Sequence, residues 1–137
     1  RGAHLALGPG GDHLVDAGVD AGVGMAPILP GISDRPEQLR EVVKAAREAG
    51  ATGVWTNILN LRPGTREHFL EHLAEDFPEQ LPRYLELYGG GRGYLPSSET
   101  TPIRAQVSAL ARELGVRDRR RIRLDGTQHE EQLRLAV

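Results

Sequence analysis

His68-Phe69-Leu70-Glu71-His72 carries the H-x-x-E-H spacing in which two imidazoles one helical turn apart hold a single zinc ion and the glutamate serves as a base. Such a site also needs a third ligand in a cleft. Phe69, Leu70, Leu73 and Phe77 fall within about 100° of arc and define the apolar face of the same helix, leaving His68 and His72 beside Glu71 and Glu75 on the other side. A solvated helix face is therefore favoured over a peptidase centre. Two glycine-rich stretches, Gly8-Pro9-Gly10-Gly11 and Gly89 to Gly93, offer backbone N–H groups to phosphate, but neither has the strand-turn-helix spacing of a phosphate loop. They read as loop punctuation. Arg117 to Arg123 packs five arginines into seven residues. Without interleaved aromatic residues, the run reads as a solvated tail or a phosphate contact.

The absence of cysteine from all 137 residues excludes disulfides, thiolate zinc sites, iron-sulfur ligation and a cysteine nucleophile within this chain. A net charge of -2 gives no field that selects nucleic acid or membrane as a partner. The apolar stretches break well before membrane-spanning length and Arg1 to Gly18 has no signal-peptide core, so a cytoplasmic location with no membrane partner is expected. With 39% hydrophobic and 26% charged residues the composition is globular, and the length suits one domain or a piece of one.

The elements that position these residues follow from periodicity. Asp20 to Gly31 is a short apolar run closed by Pro30-Gly31, which suits a strand buried on both faces. Asp34 and Glu37 have capping-box spacing, and Leu39, Val42, Val43 and Ala46 form the stripe of a helix that stops at Gly50. Gly53 to Leu61 reads as a second strand, ended by Arg62-Pro63-Gly64. Strand, helix and strand joined by short loops make a right-handed parallel βαβ unit.

Beyond it, Phe69, Leu70, Leu73 and Phe77 predict one helix, and Leu81, Tyr84, Leu85 and Tyr88 a second. Thr101-Pro102 suits the start of a third, with Ile103, Val107, Leu110, Ala111 and Leu114 as its stripe. A short helix at Glu130 to Leu135 completes the prediction. Ligands in parallel α/β folds bind where strands end and loops begin, which points to Pro27 to Asp34 and Asn60 to Gly64. Two parallel strands do not make a stable sheet alone. An open edge along Ala21 to Ile28 and marginal stability in isolation are expected, unless another strand is supplied.

Two segments, AGVDAGVGMAPILPGISD from Ala17 to Asp34 and NLRPGTREHFLEHLAEDFPEQLPRYLELY from Asn60 to Tyr88, resemble the end of the radical SAM domain and its C-terminal extension in spore photoproduct lyase-like proteins. The shared elements are Ala17-Gly18, the A-P-x-x-P-G-x-x-D run from Ala26 to Asp34, the turn Leu61-Arg62-Pro63-Gly64 and the pair Phe77-Pro78. The resemblance implies an α/β fold: the last βαβ unit of a partial (β/α)6 TIM-type barrel, followed by a helical C-terminal extension. It divides the chain into an irregular leader over 1–18, the barrel end over 19–63, the extension over 64–116 and a charged tail over 117–137.

By the same resemblance the whole protein is a cytoplasmic enzyme that holds a 4Fe-4S cluster, cleaves S-adenosylmethionine reductively and acts on a nucleic-acid or other macromolecular substrate. The cluster loop belongs to an upstream barrel portion that these residues do not contain. This chain is then a fragment that binds no cofactor alone and has no catalytic or metal-ligating residue of its own. The family's G-x-I-x-G-x-x-E element falls on Pro27, Leu29, Gly31 and Asp34, of which Gly31 matches strictly. Asn60, Leu61 and Arg62 would offer backbone groups to the adenine. The alternative is a non-catalytic binding or assembly module that completes an α/β barrel.

Overall fold

The computed structural model of this protein describes residues 21–116. The leader over 1–18, the Gly8 to Gly11 stretch, the Arg117 to Arg123 run and the helix expected at Glu130 to Leu135 lie outside the described residues. Within them the order is β1 (Gly22–Ile28), α1 (Pro36–Glu48), β2 (Gly53–Ile58), α2 (Thr65–Asp76), a 3-10 turn (Pro78–Gln80), α3 (Leu81–Leu87), a second 3-10 turn (Gly89–Gly91) and α4 (Ser97–Glu113).

The βαβ unit forms as its periodicity predicts. β1 and β2 run parallel with Gly22 opposite Gly53, Val23 opposite Val54 and Met25 opposite Thr56, and the register shifts before Ile28 meets Ile58. Pro27 lies in that irregular stretch, where its missing N–H leaves no ladder donor. Val23, Met25 and Ile28 alternate inward with Val54 and Ile58 and meet Leu39, Val43 and Ala46 of α1. Ile103, Val107, Leu110 and Ala111 of α4 close the same core. A bidentate ion pair joins the two helices outside it: Arg40 donates to both carboxylate oxygens of Glu113 at 2.7 and 2.9 Å, which holds that carboxyl below its ordinary range.

The expectation of a strand buried on both faces is corrected. Only one face of the sheet is covered, and Gly22, Gly24, Ala26, Trp55 and Asn57 are exposed. The indole of Trp55 lies across Gly24, so close that a β-carbon there would collide with it. Among the described residues both strands also keep a free lateral edge, since the sheet has two strands.

Three local expectations change for physical reasons. Asp34 is not the cap of α1. The N-cap is Arg35 in extended conformation, with Pro36 at the first helical position and no side-chain cap, because the Asp34 carboxylate is already engaged by the preceding turn. α4 begins at Ser97, four residues before Thr101-Pro102; the Pro96 carbonyl accepts from the N–H groups of Glu99 and Thr100 and starts the helix there. Pro102 is carried inside the helix and Thr100 joins the buried stripe.

Phe77 and Leu85, placed by periodicity on apolar faces, are 42% and 48% exposed. Phe77 is the residue at which α2 ends, with φ -140°, so helical spacing no longer governs where its ring points. In the seven-residue α3 the inward positions go to Tyr84 and Tyr88. These rings, with Leu61 and Leu73, build a second core beneath the strand ends, flanked by the half-buried Phe69 and Leu70. Among the described residues no helix is long and apolar enough to cross a membrane.

Candidate functional site

Because β1 and β2 are parallel, their C-terminal ends open on the same side of the sheet, and the two segments singled out at the strand ends become neighbours. The Leu59 N–H donates to the Ile28 carbonyl at 3.0 Å, carrying the ladder past both strands.

The first segment is a closed turn. Leu29 N–H donates to the Ser33 hydroxyl and Gly31 N–H to the Asp34 carboxylate, both at 2.8 Å, while the Leu29 carbonyl accepts from Ile32 and Ser33. Gly31 has φ +78°, and a β-carbon there would stand 2.7 Å from Gln80 Oε1 and 2.9 Å from Arg83 Nη1. The conformation favours glycine, and a β-carbon would also displace the flexible ends of Gln80 and Arg83. Pro27 is exposed at the strand end and Pro30 is buried.

The second segment divides its residues differently. Asn60 is half-buried and lines a cleft, whereas Leu61 is buried and its N–H donates to the Gly93 carbonyl at 2.8 Å. Arg62 is exposed and its guanidinium donates to the Tyr94 hydroxyl at 2.9 Å. Glu67 accepts from the Gly64 N–H at 2.6 Å, which starts α2 directly after the turn. Of the seven residues expected at the site, Asn60 is the one that faces the cleft, and the N–H groups of Leu29, Gly31 and Leu61 already have partners within the chain.

Sequence reasoning missed what holds the two segments. Tyr84 donates its hydroxyl proton to the Pro30 carbonyl at 2.9 Å and Tyr88 to the Leu59 carbonyl at 2.6 Å, so one short helix grips both strand ends. Their rings stack with centroids 5.9 Å apart, and Phe69 lies 5.6 Å from Tyr84. Burial pushes the Tyr88 phenol up to about 12 and that of Tyr84 further, the latter helped by Tyr88 and Asp34 nearby. The available signal was two tyrosines, rather than leucines, on an apolar stripe, since a buried phenol needs a hydrogen-bond partner.

The cleft has a volume of about 300 Å³ and lies between Asn57 to Asn60 and the stretch from Tyr94 to Arg104 that enters α4. The histidine pair of α2 is elsewhere. His68 and His72 are exposed, stand edge to face with centroids 4.5 Å apart, and His72 Nδ1 lies 3.7 Å from Glu75. Among the described residues no three potential ligands gather to hold a metal. Changing both histidines to alanine is expected to shift stability by less than about 0.5 kcal/mol, as at ordinary surface positions, and to leave zinc affinity weak. A tight one-to-one zinc complex in calorimetry, lost in the double variant, would contradict this.

Curated proteins of Mycobacterium bovis and of two strains of Mycobacterium tuberculosis, each described as uncharacterized, are 43% identical to this chain over 94 residues. That match covers 69% of this chain and 27% of theirs, so the chain spans about a quarter of the length of these curated relatives. No protein-family model and no solved structure matches the chain.

Proposed function

We propose that these residues are the closing βαβ unit and helical extension of a radical SAM barrel similar to spore photoproduct lyase. The observation that carries this reading is the one-sided sheet. Helices cover one face, while Gly24, Ala26, Trp55 and Asn57 leave the other bare, as strands do when their inner face lines a barrel that more strands complete. Relatives more than three times as long as the matched region have room for those strands outside it.

The chain's own residues do not fit an iron-sulfur cluster, having no thiolate to offer. What they fit is a supporting role at the strand ends. Tyr84 and Tyr88 hold the Pro27–Asp34 and Asn60–Arg62 segments in place, and Asn60 presents an amide to the cleft. When bound in the complete protein, S-adenosylmethionine would supply the radical-forming bond, and these segments would border its adenosine. The non-catalytic assembly module remains the second reading, favoured by the internal pairing of the Leu29, Gly31 and Leu61 N–H groups.

Anaerobic iron and sulfide reconstitution of the full-length Mycobacterium tuberculosis relative separates the two. Cluster absorbance and production of 5'-deoxyadenosine are expected from the long protein and neither from this chain alone. A long protein that forms no cluster and leaves S-adenosylmethionine intact would leave the assembly module as the function.

A further inference from the structure

We propose that the cleft between the end of β2 and the first turns of α4 binds the phosphoryl group of a small phosphate ester. The lining brings polar side chains from two walls: Asn60 from the strand end, and Ser97, Thr100 and Arg104 from the helix. No carboxylate lines the cleft, and none is ion-paired with Arg104 among the described residues. A guanidinium in a cleft that also holds an amide and two hydroxyl residues favours an oxyanion, and donors on opposite walls suit a tetrahedral group better than a planar one.

Thr100 adds a largely buried polar residue to the lining. It is only 7% exposed and lines the cleft, and none of the side-chain hydrogen bonds among the described residues uses its hydroxyl. Yet no sealed side-chain polar atom among those residues lacks a partner. The seventeen-residue α4 adds the positive end of its dipole, with the N–H groups of Ser97 and Ser98 ahead of the first bond of the helix, which Glu99 donates to the Pro96 carbonyl. About 300 Å³ exceeds what one phosphate fills, which leaves room for the group it esterifies. Asn60 aside, these donors are distinct from the residues assigned to S-adenosylmethionine, so phosphate binding does not depend on that assignment.

Inorganic phosphate titrated into the full 137-residue chain at constant ionic strength, followed by amide NMR, tests this directly. Saturable shifts are expected at residues 57–60, 94–100 and 104, with acetate giving none. Arg104→Gln should weaken binding by about tenfold or more, as loss of a charge-assisted contact does. Arg112→Gln, an exposed change on the same helix away from the cleft, should leave binding unaltered. If Arg104→Gln does not fold, Ser97→Ala serves as the weakening variant. Linear unsaturable shifts, equal binding of acetate, or full affinity in a folded Arg104→Gln chain would overturn the assignment.

Discussion

Tyr84→Ala is expected to lower the unfolding free energy by about 3–5 kcal/mol, the range for removing a buried aromatic ring from a core. Tyr84 is fully buried, stacks on Tyr88 and touches Phe69, so its loss empties the centre of the second core. It also releases the Pro30 carbonyl, to which its hydroxyl donates. Tyr84→Phe divides the effect: the ring stays, and the unanswered buried carbonyl costs about 1 kcal/mol. Urea unfolding of the two variants measures both terms, and amide shifts of Gly31 and Ile32 report whether the strand-end turn has loosened. An alanine variant within about 1 kcal/mol of the parent would mean that the extension does not support the strand ends.

Alkaline pH should unfold the protein through the same pair of residues. Burial raises the phenols of Tyr84 and Tyr88 above the value near 10 that they have in an unfolded chain, and that of Tyr88 reaches about 12. A raised pKa means that the folded state retains protons which the unfolded state gives up, so the stabilisation is complete below pH 10 and is lost as pH climbs from there. Stability should therefore show no tyrosine-linked change up to about pH 10 and fall between about 10 and 12. Ultraviolet absorbance of tyrosinate from these two residues should rise together with the loss of helical circular dichroism. In the Tyr84→Phe, Tyr88→Phe double variant the alkaline slope should flatten. A phenolate signal from Tyr84 and Tyr88 in the still-folded protein near pH 10 would show that they are open to solvent.

How far the site could be read in advance depended on the range of the interactions involved. The helix stripe Leu39, Val43 and Ala46 and the strand residues Val23, Val54 and Ile58 are local patterns with one way of burying themselves, and their element types emerge as periodicity predicts. Boundaries were less legible. Asp34 has two nearby backbone partners within reach, the start of α1 and the Gly31 N–H, and spacing alone favours the first, although the turn takes the second. Thr101-Pro102 is a good helix start in isolation, but the chain leaves the Gly89–Gly91 turn early enough for Pro96 to begin α4 instead.

The sequence by itself determined that this chain has no thiolate for a cluster and that it contains a parallel βαβ unit, and it singled out the strand ends as the segments where a ligand is expected. These are consequences of residue type and of spacing within a dozen positions. Only the tertiary structure decided which face of the sheet is bare, that α3 grips both strand ends, and that Arg104 and Asn60 line one cleft. Each of these joins residues about thirty or more positions apart, as in Tyr84 to Pro30, Tyr88 to Leu59 and Asn60 to Arg104. No local pattern encodes such pairs, because their meeting depends on how α1, α3 and α4 share the space around two short strands.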